Sequence, residues 1–266
     1  MNSTNPASYD LYECQSKSHK LIGVLLPTYC EAESISSLIE EIQELNLKVV
    51  IAVVDDSSPD NTSGEVRKLQ NRYSDIHLIS RGSKLGLGTA IVTGFRFFLG
   101  LTDTPDYIIT MDSDYSHNPK DISRLVIFAE KGSDLVIGSR YVKNGASKNW
   151  SLKRQLISRV ANLMAAFVIG RRIKDCTSGF RCYSRDYVQK VLPTLHSTTY
   201  EIQIETLRQG EMRHFGIREI PITFLGRKKG KSKLSIDEVK TFLNYLITTL
   251  LSNLLISSRR KSLSAT

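Results

Sequence analysis

The stretch "VVIAVVDDSSPDNTSGEVRKLQNRY", residues 49–73, holds an unbroken apolar run, a polar turn with two aspartates and a proline, and then a helical pattern. A run of β-branched residues with no polar alternation is the mark of a strand covered on both faces. A strand followed at once by a helix is half of a parallel crossover unit. The same cadence recurs on either side. "LIGVLL" (21–26) leads to a helix in which Ile35, Leu38, Ile39, Ile42 and Leu45 recur at three- and four-residue steps. "IHLI" (76–79), "YIITM" (107–111) and "DLVIG" (134–138) alternate with helices expected near 88–100 and 119–131. The expected fold class is therefore α/β, with a mostly parallel central sheet.

Polar and glycine-rich segments follow each strand: "PTYCE" (27–31), "DDSSPD" (55–60), "RGSKLGLGTA" (81–90), "DSDYSHNP" (112–119) and "SRY" (139–141). Open α/β sheets form their ligand crevice at these carboxyl ends. Asp112 and Asp114 stand two residues apart there with no basic residue between them. Like charges so close repel, so a cation is expected to complete them. Carboxylate oxygens at a strand end suit a hard divalent ion, Mg²⁺ or Mn²⁺, shared with substrate phosphates. His117 follows the pair and reads as a surface residue of its loop. Asp55 and Asp56 end the second strand, where an aspartate accepts hydrogen bonds from ribose or base groups; Tyr29 and Glu31 complete a nucleoside pocket. "GLGTA" (86–90) lacks the full dinucleotide and Walker A patterns, and close backbone packing at a helix start accounts for its glycines.

From residue 151 the rhythm changes. A long helix, "SLKRQLISRVANLMAAFVIG", is expected to lead into a loop, "RRIKDCTSGFRCYSRD", then a helix, "TTYEIQIETLRQG", one strand, "IREIPITF", and a basic loop at 225–235. Residues 1–139 carry a charge of −7 and residues 140–266 a charge of +16, within a net charge of +9. The first half can hold a cation and the second can meet anions. Arg140, Arg154, Arg181 and Arg227 at element ends suit phosphates. The four cysteines form no CxxC pair, which fits a reducing compartment. Residues 1–19 are polar without an apolar leader and read as a loose tail, and 20–235 as the main domain. In 236–266 the apolar run from Phe242 to Ile256 is too short and too interrupted to span a bilayer. It reads as an amphipathic segment that packs on the domain or lies in a membrane interface.

Taken in order, "LPTYCEAESI", "VVDDSSPDNT", "GLGTAIVTGF", "MDSDYSHNPKDI", "VIGSRY", "DCTSGFRCYSRD" and "GRKKGKSKL" resemble family 2 glycosyltransferases of the GT-A fold, and more narrowly the polyprenyl-phosphate (dolichol-phosphate) mannosyltransferases. The resemblance implies that Pro27, Tyr29, Glu31, Val54 and Asp56 hold the nucleoside. Asp112, Ser113 and Asp114 lie along the donor diphosphate, with Asp114 the principal metal ligand and Ser116 the next metal-facing residue. Arg140, Arg227 and Lys233 meet phosphates, while Arg154 and Ser178 seat the acceptor phosphate. The implied reaction is inverting transfer of mannose from GDP-mannose to a polyprenyl or dolichyl phosphate, dependent on Mg²⁺ or Mn²⁺. The enzyme is then peripheral, on the cytoplasmic face of a membrane, held there by its terminal helices or by a membrane-anchoring partner; nucleic acid is not an expected partner. A UDP-sugar donor is the nearer alternative, and a non-catalytic basic binding protein on the same fold the more distant one.

Overall fold

The computed structural model describes residues 19–170, 173–226 and 240–252. The tail at 1–18, the basic loop with Arg227 and Lys233, and the chain after 252 lie outside them.

Five strands fall where the apolar runs place them: β1 (Leu21–Thr28), β2 (Lys48–Asp55), β3 (Ile76–Ser80), β4 (Tyr107–Thr110) and β5 (Leu135–Ser139). Between them lie α1 (Ile35–Gln43), α2 (Thr62–Gln70), α3 (Leu87–Leu99) and α4 (Asp121–Glu130). β1 pairs in parallel with β2 and β4, and β2 with β3. Both faces are covered. Ile22, Val24, Val49, Ile51 and Val53 pack with α1, α2 and α4, whereas Leu25, Val50, Ala52 and Val54 pack with α3. Each fully buried aliphatic side chain contributes about 1.5–3 kcal/mol, so the alternation fixes which residue of each strand faces which layer.

The second half departs from the expected pattern. After β6 (Ala146–Lys148) and α5 (Leu152–Ile169), the segment expected to be one loop contains β7 (Arg181–Ser184) and opens α6 (Arg185–Val191). β7 enters the sheet antiparallel to both β4 and β5, giving the order β3-β2-β1-β4-β7-β5-β8. The expected single strand at 217–224 is also two. After α7 (Ile202–Met212), β8 (Ile217–Pro221) pairs in parallel with β5, and β9 (Thr223–Leu225) leaves to pair with β6 in a separate two-stranded sheet. Residues 240–252 form a helix, α8, which packs Phe242, Tyr245, Leu246 and Leu250 against the same core cluster as α3, α5, α6 and α7.

Candidate active site

The carboxyl ends of β1, β2, β4 and β5 open on one side of the sheet, and β7 begins there because it runs the other way: Thr110 is paired with Arg181. Five loops meet at this edge. Ser113 latches two of them, its hydroxyl donating to the Pro27 carbonyl at 3.1 Å, while the Ser34 hydroxyl donates to the Ser113 carbonyl at 2.7 Å.

Asp112 and Asp114 both stand in this crevice, partly exposed. The Asp114 Oδ1 accepts the backbone N–H of Ser116 at 3.0 Å and the Ser116 hydroxyl. Ser116 itself is 1% exposed, so the residue expected to face the metal instead braces the carboxylate beside it. Gly179 lies behind Asp112. A Cβ at that position would stand 3.2 Å from Asp112 Oδ1 and 3.5 Å from Gln203 Nε2. The absence of a side chain lets the loop before β7 back directly onto the acidic pair. Two carboxylates suit a divalent ion that draws its remaining oxygens from a diphosphate. Among the described residues no group of three or more His, Cys, Asp and Glu could hold a metal without such help.

His117 is not on the surface. It is 1% exposed, stacked on Phe180 at 4.9 Å and meeting Phe224 edge-on at 5.2 Å. Burial pushes its pKa down to about 4. Its Nδ1 accepts the backbone N–H of Asp112 at 3.1 Å, so the neutral ring carries its proton on Nε2 and holds the start of the acidic loop.

Where the nucleoside is expected, Tyr29 lies under the Lys84 ammonium, 4.5 Å from the ring centroid, and Pro27 and Glu31 are partly exposed nearby. Val54 is fully buried in the core cluster, so its side chain faces helices and not the crevice. Asp55 is structural: Thr28 and Ser63 hydroxyls donate to it at 3.0 and 2.9 Å, as does the Ser58 N–H at 3.1 Å. Asp56 pairs with Arg81 and accepts the N–H groups of Leu85 and Gly86 at 3.1 and 2.9 Å. It therefore pins the "GLGTA" turn to the end of β2. At Gly88 a Cβ would fall 2.3 Å from the Ser197 carbonyl oxygen, which is the close backbone approach expected of those glycines.

The basic residues divide into buried and exposed. Arg140 is 8% exposed and grips Asp175, itself fully buried, through Nε and a terminal nitrogen at 2.7 and 2.6 Å. Burial opposes its charge, but the Asp175 carboxylate outweighs this and raises the guanidinium pKa. Arg181 is fully buried and donates to the carbonyls of Ser178, Gln203 and Cys176 at 2.7 Å each. Ser178, expected at the acceptor phosphate, is 3% exposed and donates to the Gly138 carbonyl at 2.6 Å. These three residues build the wall of the crevice. Arg154 is exposed in the first turn of α5, its guanidinium carbon 4.3 Å from the centre of the Trp150 ring. That end of α5 carries the partial positive charge of a helix N-terminus.

Sequence reasoning passed over Asp175, Gly179 and Gln203. Gln203 is 4% exposed with its Oε1 lacking a hydrogen-bond partner. The glycine inside "DCTSGFR" was the one available signal; nothing in the spacing of Gln203 distinguishes it from a solvent-facing helix residue.

A family model described as glycosyl transferase family 2 matches residues 23–192. Polyprenol monophosphomannose synthase of Mycolicibacterium smegmatis is 37% identical over 219 residues, 82% of each chain. Undecaprenyl-phosphate mannosyltransferase of Micrococcus luteus is 35% identical over 216 residues, 79% of this chain and 86% of that one. Among solved structures, glucosyl-3-phosphoglycerate synthase of Mycobacterium tuberculosis, crystallised with Mn²⁺, UDP and phosphoglyceric acid, superposes with a TM-score of 0.63 at 21% identity, covering 88% of this chain and 78% of that one. At that identity the likeness concerns the fold.

Proposed function

The chain belongs to glycosyl transferase family 2, and from that premise we propose that it transfers mannose from GDP-mannose to a polyprenyl phosphate with inversion at the anomeric carbon. The names of the two relatives support the lipid phosphate and the mannose. The observation that carries the reading is the acidic pair at the end of β4, backed by Gly179, which presents no side chain to Asp112.

In this reading Pro27, Tyr29 and Glu31 frame the nucleoside, with Asp56 holding the loop that closes over it. Asp112 and Asp114 hold Mg²⁺ or Mn²⁺ together with the donor diphosphate. When bound, the ion neutralises charge on the departing nucleoside diphosphate. Ser116 and His117 keep the two carboxylates in place, the first through Asp114 and the second through the Asp112 backbone. Arg227 and Lys233, outside the described residues, keep the phosphate contacts that the motif implies. The acceptor phosphate is largely ionised at neutral pH, its second pKa being about 6 by analogy with phosphoamino acids. It attacks without a dedicated general base, and Arg154 at the N-terminus of α5 orients it.

The test uses purified protein, Mn²⁺ or Mg²⁺, a short-chain polyprenyl phosphate and a panel of GDP-mannose, UDP-glucose and UDP-N-acetylglucosamine, with lipid-linked sugar scored by mass. Product from GDP-mannose alone, lost on chelation and lost in Asp114→Ala with the cooperative fold kept, is the expected result. Product from a UDP-sugar alone overturns the donor, and nucleotide binding without transfer to the lipid phosphate overturns the acceptor.

A further inference from the structure

The chain has one tryptophan, Trp150, in the turn between β6 and α5. Asn149 before it takes a left-handed backbone with φ 61°. Ser151 after it caps α5, its hydroxyl accepting the Arg154 N–H at 3.3 Å. The Trp150 carbonyl accepts from Gln155 Nε2 at 3.2 Å. The residue before a helix cap sets the angle at which the chain enters the helix, so these bonds fix the indole beside the first turn of α5. Several groups meet the ring there. The guanidinium carbons of Arg154 and Arg140 lie 4.3 and 5.3 Å from its centre, and Phe224 of β9 packs edge-on at 5.2 Å. Gly226 also lies against it: a Cβ there would fall 3.1 Å from Trp150 Cδ1. Gly226 is tied down in turn, its N–H donating to the Lys148 carbonyl at 2.9 Å, and the basic loop begins at the next residue. One ring therefore joins the crevice wall, the start of α5 and the root of the basic loop.

The choice of side chain is informative. The indole Nε1 is buried and has no hydrogen-bond partner among the described residues. A buried donor left unpaired costs stability, and phenylalanine or leucine would fill space there without one. What tryptophan offers instead is the aromatic face that attracts a guanidinium most strongly. Arg140 is fixed without that face, because Asp175 takes it through two nitrogens and Thr177 Oγ1 accepts from it at 2.8 Å. Arg154 is exposed and stands closer to the ring. Stacking restricts the rotamers of an exposed arginine before a ligand arrives, which lowers the entropy cost of binding.

We propose that Trp150 is a positioning residue for the acceptor: its ring pre-organises the Arg154 guanidinium at the N-terminus of α5 to take the phosphate monoester of the lipid. The inference rests on the acceptor read above and deepens it.

The experiment is equilibrium dialysis of the full chain with a radiolabelled short-chain polyprenyl phosphate, without donor. Wild type is compared with Trp150→Leu, Trp150→Phe, Arg154→Ala and the double variant Trp150→Leu/Arg154→Ala. The expected result is that Trp150→Leu raises Kd about five- to thirtyfold, the range of a partly desolvated cation–π contact. Trp150→Phe, which keeps an aromatic face, recovers most of that loss. In the Arg154→Ala background Trp150→Leu changes Kd by less than about twofold, because it acts through Arg154. The corresponding polyprenol, which lacks the phosphate, binds all variants alike. Equal Kd in wild type and Trp150→Leu overturns the inference. So does a phenylalanine variant as weak as the leucine one, or a full Trp150→Leu effect in the Arg154→Ala background. Fluorescence of the wild type is a second readout that needs no variant at Trp150 to fold. The single indole must change its emission as polyprenyl phosphate is added, a change that Arg154→Ala abolishes, and a flat wild-type signal overturns the placement of the acceptor beside the ring. Sugar transfer is measured on the same proteins. If no donor gives product while Kd follows Trp150, the positioning role stands and the assigned reaction falls; if transfer succeeds while Kd ignores Trp150, the reverse holds.

Discussion

Replacing Gly179 by alanine isolates what the acidic pair needs from its surroundings. The added methyl lands 3.2 Å from Asp112 Oδ1, inside the 3.4–4 Å of ordinary contact, and 3.5 Å from Gln203 Nε2. The carboxylate must move by a few tenths of an ångström, and its side chain, 41% exposed, is able to. Folding is then barely affected: an alanine at an unstrained position contributes about 0.4–1 kcal/mol through the unfolded chain, close to what the tight contact takes away. Catalysis is more sensitive. A displacement of about 1 Å costs about a hundredfold, so a few tenths costs roughly three- to tenfold in kcat/KM, with a matching rise in the Mn²⁺ concentration for half-maximal rate. The assay is initial rate against metal concentration, alongside calorimetry. Unchanged kinetics would refute the placement of Asp112 at the metal, and a fall of about 10 °C in Tm would make Gly179 an architectural residue.

Gly88→Ala should behave in the opposite way: the new Cβ meets the Ser197 carbonyl oxygen at 2.3 Å, backbone cannot yield as a carboxylate does, and a melting temperature within about 3 °C of wild type would contradict that contact. Asp175→Ala strands the buried Arg140 guanidinium, whose side chain is 7% exposed; the expected loss is about 3–5 kcal/mol, or roughly 6–20 °C in Tm, and a neutral result would show that Arg140 swings out to other partners. Burial pushes Cys176 up to about 12 and Cys182 upward as well. Their folded values exceed the unfolded one of about 8.5, so this contribution is complete below pH 8.5 and declines as pH rises, by about 2 kcal/mol per thiol at pH 10. Urea melts from pH 7 to pH 10 read it directly, and a free energy flat across that window contradicts it.

Much of the fold was legible because its signal is local. The strands β1 to β5 are apolar runs, the helices between them keep a helical period, and both follow from burial on two faces. β7 is only Arg-Cys-Tyr-Ser, with a charged residue first, and its antiparallel entry is set by partners in β4 and β5 that no local pattern announces. The split of 217–224 into β8 and β9 has the same cause: Pro221 ends one pairing and, after Ile222, the next strand finds β6, far back in the chain.

The site was legible to the same depth and no further. Polar residues gathered at strand ends mark the crevice, and in the sequence each of them reads as facing a ligand. In the structure many face one another instead. Arg140 reaches Asp175 across 35 residues, Ser178 the Gly138 carbonyl across 40, and Asp56 the Leu85 and Gly86 amides across 29 and 30. A buried charge without a partner is costly, so a crevice with this many polar groups has to spend most of them on each other before any substrate arrives. Asp112, Asp114, Tyr29 and Glu31, which stay partly exposed, and Arg154, exposed beyond them, are then the ones on which ligand contact is most economically placed. Burial, which a single sequence does not display, separates the wall from the site it encloses.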